Sequence, residues 1–562
     1  MEADGSVATE SSAHIERLPD ELLLRIFAHT LLTIEQLCMV NADRGADLRQ
    51  ISRLCLVSSH FRTVAQPLIY QTLQFTQTDP LCDGYQFSSS QEFTYLRRRP
   101  DEIQIVRHLV LKGTPLPVAR LLEAFEDPAI QSQIQQTYST SFCTFLDSLI
   151  VEAREVTTTW PHSVDVSRYR GHYVLSYDLL AIWLLTLADQ VEFASLRVVA
   201  DSHGSLLARF FSFCGRALGT ADRGLQARLP SPLSRLHTLE LTPMENDIGT
   251  VSNAAVSAFL SFQGLVSCYT SYLSWGRGSS APSNPGAPSR PWPIAPHIQH
   301  LELRSAAFPG TPRNPKSSSL VIRDLVLREL GSDLRSLVVD VDPKDADAYD
   351  EYPRARMDFG PLGEAIRTYG TGLRRFELQL YKTAAGQFEE RDSGVLGNLR
   401  AANIKLEWLS APMSRLTYFE RPKDGVGAYP GDHDKAYIPP DFADLGDYLA
   451  PSLRYFWTSI PNPRFYNPVP QHDLSHDLGS LLASAEAKLP QLEWVLVHAP
   501  YPNYQLRQGY RTYQYWAEET MGPFHYLYRR RQGPGCRNTL GPKQYPPEWK
   551  QAIKHEIAMS FE

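Results

Sequence analysis

The sequence lacks the features of a membrane or secreted protein. No stretch approaches the roughly 18 consecutive apolar residues that a membrane-spanning helix needs, and the most apolar one, residues 179–187, is short and mixed. The N-terminal residues are polar and acidic, without the basic start and apolar core of a secretory signal. We therefore expect a soluble protein without a membrane partner.

Cysteine is also scarce, with 7 cysteines among 562 residues and no C-x-x-C pair. An odd, scattered set disfavours a disulfide framework. We interpret these residues as mostly buried, reduced thiols, which predicts that the protein is cytoplasmic or nuclear.

Positive charge is not in excess, because 55 Lys and Arg face 62 Asp and Glu, for a formal net charge of −7. This balance disfavours general binding to nucleic acid or anionic lipid. Two short arginine clusters, at residues 97–99 and 529–531, are typical of solvated surfaces or of small contacts to acidic motifs. No nucleic-acid partner is expected.

Sequence motifs of catalysis are missing as well. The chain has no G-x-S-x-G, no G-x-x-x-x-G-K-[S/T] and no G-x-G-x-x-G placed between a strand and a helix. His472 and His476 have the spacing of two metal ligands on one helix face, but no third ligand is evident and a solvated helix start explains them as well. We predict a protein that is not an enzyme and has no cofactor, with an unrecognised site as the alternative.

The sequence does contain a helical pattern from residue 15 onward. Pro19 suits a first helical turn, and the acidic Asp20 and Glu21 interact favourably with the helix dipole there. Apolar residues then recur at steps of three and four, namely Leu22, Leu23, Ile26, Phe27 and Leu31. A second such pattern contains Ile51, Leu54, Cys55, Val57, Ser58 and Phe61. Pro67 predicts a break before a short further element.

As an ordered set, these residues resemble the F-box. The resemblance covers residues 15–75 and rests on Leu18-Pro19-x-Glu21-Leu22, Ile26-Phe27, Leu54-x-x-Val57-Ser58-x-x-Phe61 and Pro67-Leu68-Ile69-Tyr70. The sequence departs from the family in a longer link at residues 33–50 and in Phe61, where the family often has tryptophan. The alternative is a plain helical hairpin that caps the rest of the chain.

The resemblance implies a three-helix module that binds a Skp-type adaptor and, through it, the cullin of a ubiquitin ligase. The residues that it marks as adaptor contacts are Leu18, Pro19, Leu22, Leu23, Ile26 and Phe27, with Leu54, Val57 and Phe61 in partial support. The apolar stripe is wide for so short a helix. One part of it can pack within the module, and burial of the other part agrees with contact to a partner protein.

Beyond residue 75 the pattern L-x-x-L-x-L recurs. Clear copies occupy residues 106–111, 236–241, 298–303, 334–339, 373–378 and 492–497, and weaker ones residues 196–199, 406–409 and 453–456. Helical patterns precede several copies, at residues 177–185, 362–366 and 478–482. Alternating helices and short strands resemble a leucine-rich-repeat solenoid, although the spacing is uneven and the asparagine ladder is absent. We predict an α/β fold that forms an irregular, leucine-rich-repeat-like solenoid with long loop insertions, as is common in F-box proteins of filamentous fungi. Another α/β arrangement is the alternative.

These patterns divide the chain into four parts. We expect residues 1–14 to form a disordered leader, 15–75 the F-box, 76–500 a substrate-binding solenoid and 501–562 an aromatic-rich C-terminal cap. Some aromatic residues of the last part are alternatively anchors for a substrate. The expected function is a substrate-recognition adaptor of a Skp–cullin–F-box ligase that recruits an unknown target protein for ubiquitination. The alternative is a scaffold that binds proteins without entering a ligase.

Overall fold

The structure, a computed structural model, consists of two compact units. Unit 1 comprises residues 1–272 and 293–297, and unit 2 comprises residues 273–292 and 298–562. The residues described are 18–29, 53, 55–75, 88–111, 116–159, 166–198, 205–221, 232–243, 258–260, 262, 264–271, 297–304, 326–327, 330–341, 359–380, 396–400, 404–412, 416, 445–459, 474–498, 516–520 and 525–530.

Unit 1 contains a parallel sheet whose strands lie side by side in chain order. The strands are β1 (Thr72–Phe75), β2 (His108–Leu111), β3 (Phe193–Val198), β4 (Thr238–Pro243) and β5 (Ser267–Ser271). Its helices are α1 (Asp20–His29), α2 (Ser59–Tyr70), α3 (Ser88–Arg98), α4 (Pro100–Gln104), α5 (Val118–Phe125), α6 (Pro128–Thr137), α7 (Thr140–Thr159), α8 (Val166–Leu187) and α9 (Leu206–Ala221).

The chain enters successive strands of unit 1 through the same backbone contact. The N–H groups of Arg107 and His108 both donate to the carbonyl of Gln71, at 2.8 and 2.9 Å. Glu192 and Phe193 in turn donate to the carbonyl of Arg107. His237 and Val266 occupy the equivalent positions before β4 and β5. We refer to this contact, in which two successive N–H groups donate to one carbonyl, as the backbone rung. It repeats because each turn of the chain is stacked on the previous one with the same offset.

Helix α8 forms the centre of unit 1, since residues 175–188 are all buried. The second half of α8 is mostly apolar on every side and must therefore be covered on every side, and α8 contacts α4, α5 and α9. Helices α5, α6 and α7 fill the long segment between β2 and α8. Among the described residues, none of the helices is long and apolar enough to cross a membrane.

Two polar residues tie α8 to its neighbours. The Tyr177 hydroxyl accepts a hydrogen bond from Arg197 N at 2.6 Å and donates to the Leu111 carbonyl at 3.1 Å, and burial raises its pKa. The Asp178 carboxylate accepts from Ser205 Oγ at 2.9 Å and from Leu207 N at 3.2 Å, which caps the start of α9. Burial raises the pKa of Asp178 to about 6.

Unit 2 repeats the parallel arrangement and ends in a hairpin. Its parallel strands are β6 (His300–Arg304), β7 (Ser336–Val341), β8 (Arg375–Leu380), β9 (Trp408–Ser410), β10 (Tyr455–Ser459) and β11 (Trp494–His498). The antiparallel strands β12 (Trp516–Thr520) and β13 (His525–Arg530) follow, and β13 pairs with β11. The helices are α10 (Phe359–Tyr369) and α11 (Leu474–Lys488), with 3₁₀ turns at Gly331–Asp333 and Leu445–Asp447.

The same backbone rung precedes the strands of unit 2, and here ion pairs accompany it. Arg374 and Arg375 donate to the Arg335 carbonyl, and the rung continues to β11. The Arg374 guanidinium lies 3.1 Å from the Glu407 carboxylate, and Arg454 lies 2.8 Å from Glu493. These pairs are exposed, so each contributes at most about 1 kcal/mol to stability.

The α/β class predicted from the sequence is confirmed, and parallel strands in chain order are consistent with an irregular solenoid. All nine copies of the leucine pattern coincide with strands or overlap them. The C-terminal hairpin extends the sheet, and Tyr528 within it is buried. The leader at residues 1–14 lies outside the described residues, as does residue 531 of the second arginine cluster.

The break predicted at Pro67 is wrong. Helix α2 runs from Ser59 to Tyr70 through Pro67, and the interruption lies instead at Ser58. The Ser58 hydroxyl accepts from Phe61 N at 3.1 Å, so this residue caps the helix. The loss of one backbone hydrogen bond at Pro67 is tolerated inside a helix that packing already holds.

Candidate functional site

Helices α1 and α2 pack against each other and form a small core of their own. Its buried residues are Leu23, Phe27, Phe61, Val64 and Ala65, with Leu18 and Cys55 partly buried against them. The rings of Phe27 and Phe61 meet at an angle of 71°, with their centroids 5.3 Å apart. This aromatic contact joins the two helices at the centre of the pair.

Local hydrogen bonds set where the helices of this pair begin. The Pro19 carbonyl accepts from Leu22 N at 2.9 Å and from Leu23 N at 3.1 Å, which closes the first turn of α1. The Arg62 guanidinium donates to the Cys55 carbonyl at 3.2 Å and so ties α2 to the preceding helical residues 55–57. Asp20 lies 3.5 Å from His60, which links the starts of α1 and α2.

Next to this core, large apolar side chains remain exposed. Leu22 is 44% and Ile26 48% exposed on α1, and Leu56 is 77% and Val57 62% exposed just before α2. We refer to Leu22, Ile26, Leu56 and Val57 as the exposed apolar set. Leu22 and Ile26 are four residues apart and share one face of the helix. An exposed set of this kind beside an ordered core is typical of a protein–protein contact.

The structure divides eight of the nine residues marked by the F-box resemblance into two groups. Leu23, Phe27 and Phe61 belong to the core, and Leu18 packs against its edge. Pro19, Leu22, Ile26 and Val57 are exposed. Leu54 lies outside the described residues.

Two exposed residues of this region were not predicted. Leu56 is the most exposed of the large apolar side chains that the structure describes, and Leu24 lies on the flank of α1 opposite Leu22. Both are leucines in an amphipathic segment, so their apolar character was visible in the sequence. Their exposure depends on which face of each helical segment the other covers, and this is a property of the packing between segments that the sequence does not show.

The described residues provide no arrangement suited to catalysis by a metal ion. No group of three His, Cys, Asp or Glu among them could hold a metal. His472 lies outside the described residues, and so does the side chain of His476. Cys55, Cys143, Cys214 and Cys268 are free thiols, and burial raises the pKa of Cys268 to about 12, so it carries no nucleophilic thiolate at neutral pH.

The first arginine cluster takes part in surface ion pairs. The Arg97 guanidinium lies 3.7 Å from Glu123 and 3.5 Å from Asp127, and Arg99 lies 2.7 Å from Glu102. Each of these two arginines has an acidic partner within the chain, as expected of a solvated surface.

A comparison of the chain with known protein families found no family that matches, and a comparison with curated proteins found no match either.

Proposed function

We propose that this protein is an F-box adaptor, which binds a Skp-type protein through its N-terminal helices and a target protein through a leucine-rich-repeat-like solenoid. The observation that carries the proposal is the exposed apolar set beside the Phe27–Phe61 core. It lies within the residues whose order resembles the F-box. Ubiquitin transfer is then catalysed by other subunits.

The two groups of marked residues have different tasks in this proposal. Leu23, Phe27 and Phe61 hold α1 and α2 together and thereby fix the orientation of the exposed side chains. Leu22, Ile26 and Val57 make the contact itself, and we add Leu56 to them. Burying one such side chain in a partner contributes roughly 1.5–3 kcal/mol. Several together offset the loss of translational and rotational freedom on binding.

The repeated strands supply the second half of the function. Parallel strands in chain order present successive turns of the chain as one extended surface. A target held on that surface would be kept near the conjugating enzyme, and this proximity raises the effective concentration of its lysines.

The proposal is tested by co-purification of the full chain with a Skp-type adaptor and a cullin. The test variant combines Ile26→Glu and Val57→Glu, and the control combines Ile105→Glu and Val151→Glu, which replace exposed apolar residues elsewhere in unit 1. We expect the test variant to bind the adaptor at least about a hundredfold more weakly, because two apolar contacts are lost and two charges are introduced. The control should bind as the wild type does.

Three outcomes count against parts of the proposal. If the wild type captures the adaptor but never the cullin, the chain is a scaffold and not a ligase subunit. If it captures neither, the F-box assignment is wrong. If the test and control variants bind the adaptor equally well, the exposed apolar set is not the contact surface.

A further inference from the structure

A row of arginine and aromatic residues crosses the sheet of unit 2 where the strands begin. The strand register places Ser336 beside Arg375, Arg375 beside Trp408, Trp408 beside Tyr455, and Tyr455 beside Trp494. Because side chains alternate along a strand, these residues lie on one face of the sheet. The opposite face carries the buried Phe376, Leu409, Phe456 and Val495. We refer to Arg375, Trp408, Tyr455 and Trp494 as the strand-start row.

The side chains of the row stack on one another. The Arg375 guanidinium lies 4.8 Å from the centre of the Trp408 ring, and the Trp408 and Tyr455 rings are 5.3 Å apart. The Arg454 guanidinium lies over the Tyr455 ring, 5.3 Å from its centre. The result is a continuous line of cation, ring, ring and cation, in which the two ring planes are tilted by 38°.

The row is rigid because buried groups support it. Glu377 is only 3% exposed, and its carboxylate accepts from Arg375 Nε at 2.7 Å. Trp457, Leu496 and Leu527 are buried beside the rings and form one apolar cluster with them. Trp408 and Tyr455 are only half-buried, so part of each ring is open to a partner. Rigid, half-exposed aromatic residues beside arginine dominate the energy of protein interfaces.

Charge along this part of the sheet is locally positive. The charged residues here are Arg335, Arg374, Arg375, Arg454 and Arg530, against Glu302, Glu377, Glu407 and Glu493, and Arg374, Arg375 and Arg454 each form an ion pair with one of these carboxylates. The arginines exceed these carboxylates by one, in a chain whose formal net charge is −7. Arg335 and Arg374 are exposed and lie directly beside the row. The surface is therefore complementary to an acidic partner.

We infer that the strand-start row binds an acidic segment of the target protein, with an aromatic residue of that segment packed against Trp408 and Tyr455. The inference rests on the proposed function, because the segment belongs to the protein that the chain recruits. Arg335 pairs with one carboxylate of the segment, and Arg374, which lies 3.1 Å from Glu407, is shared between that carboxylate and a second one of the segment. Trp408 and Tyr455 supply the apolar anchor.

A single-stranded nucleic acid fits this surface less well. Bases stack on open ring faces, but Arg375 covers one face of Trp408 and Arg454 covers the ring of Tyr455, so the aromatic residue of the segment meets these rings edge-on and does not stack on them. The carboxylates of Glu407 and Glu493 also alternate with the arginines, which would repel a continuous phosphate backbone. Separate carboxylates on a peptide can be positioned between them.

The test measures binding of fluorescent peptides to the full chain by anisotropy. The probe is a short peptide of aspartate and glutamate around one tryptophan, and its control has the same length with asparagine and glutamine instead. We expect only the acidic peptide to bind, more weakly as the salt concentration rises. The variant with Arg335→Gln and Arg374→Gln should bind about tenfold more weakly. Its matched control is Arg98→Gln with Arg120→Gln, two exposed arginines of unit 1.

A second variant, Tyr455→Ala, tests the anchor and should also weaken binding about tenfold. The melting temperature of Tyr455→Ala is compared with that of the wild type to show whether the variant folds. If it does not fold, the variant with Arg335→Gln and Arg374→Gln still tests the inference, because it changes exposed residues only. The inference is wrong if the acidic peptide fails to bind, or if the two arginine variants bind it equally. It is also overturned if a single-stranded oligonucleotide displaces the peptide and binds more tightly. Adaptor capture is measured separately, so its failure would leave these results unchanged.

Discussion

The rings of Phe27 and Phe61 pack edge to face across the two N-terminal helices, with their planes at 71° and centroids 5.3 Å apart. Phe27 is only 4% exposed, whereas Ile26, its neighbour in the chain, is 48% exposed. One step along a helix turns the side chain by about 100°. Adjacent apolar residues therefore serve the module's own core and its surface, and substitutions can separate the two tasks.

Replacing Phe27 by alanine should loosen the N-terminal helices, because a buried Phe→Ala change costs about 3–5 kcal/mol. Ile26→Ala should change the stability of α1 by no more than about 0.5 kcal/mol. Hydrogen exchange in the full chain measures this through the amides of residues 20–29. Equal protection of these amides in the two variants would contradict the division into core and surface.

Asp178 should make unit 1 less stable as the pH rises. Burial raises its pKa from 3.8 to about 6, so the folded state holds the proton more tightly than the unfolded state does. The free energy of unfolding should then decrease between about pH 4 and pH 6, by roughly 3 kcal/mol for this group. Asp178→Asn removes this dependence and keeps one acceptor for Leu207 N.

Urea denaturation of the wild type and of Asp178→Asn at several pH values measures this effect. The difference in unfolding free energy between the two proteins isolates the contribution of Asp178 from that of other titrating groups. We expect the variant to gain stability relative to the wild type as the pH rises. A difference that stays constant from pH 4 to pH 7 would mean that the carboxyl group is not buried in the folded protein.

Two glycines of unit 2 should respond differently to alanine. A Cβ on Gly363 would overlap the backbone carbonyl of Leu396, so Gly363→Ala should cost about 3 kcal/mol. Gly331 has φ of +50° and nothing within 4 Å of its Cβ position, so Gly331→Ala should cost only about 1 kcal/mol of backbone strain. Chemical denaturation followed by tryptophan fluorescence compares them. A larger loss at residue 331 would show that α10 does not pack against Leu396 in this way.

The leucine pattern predicted most of the strands because each copy needs two inward apolar side chains. Strand β5 was missed because it lacks the leucine pattern. Cys268 stands where the other copies have an apolar residue such as leucine, and Tyr269 is the residue that follows it. Burial of Cys268 satisfies the same requirement with a smaller side chain. The strand requires an apolar side chain that fills the inner face, and leucine is only the residue that most often provides it.

Helices α5, α6 and α7 were not predicted, although their periodicity is present in the sequence. Phe142, Leu146, Leu149 and Ala153 recur at helical steps along α7 and are buried. None of the copies of the leucine pattern lies in these helices, so that pattern does not indicate them. Their position around α8 is a tertiary property, because the sequence of α8 shows only that it must be covered and not by which elements.

The nine adaptor-contact residues were predicted as one set, and their division into core and surface could not be. Leu22 and Leu23 are the same residue type in adjacent positions, and both fit an apolar stripe. Their difference in exposure arises because α2 packs on the face of α1 that carries Leu23 and Phe27. That packing joins side chains more than thirty residues apart in the chain.

The rung that precedes the strands is made by main-chain atoms alone, so it places almost no demand on the side chain that stands there. Glutamine, arginine, glutamate and histidine occupy it in turn at Gln71, Arg107, Glu192 and His237. Evolution can therefore rewrite these positions without altering the spacing of the turns. A protein built this way can change its sequence at these positions while it keeps its architecture, so its backbone geometry is better preserved than its sequence there.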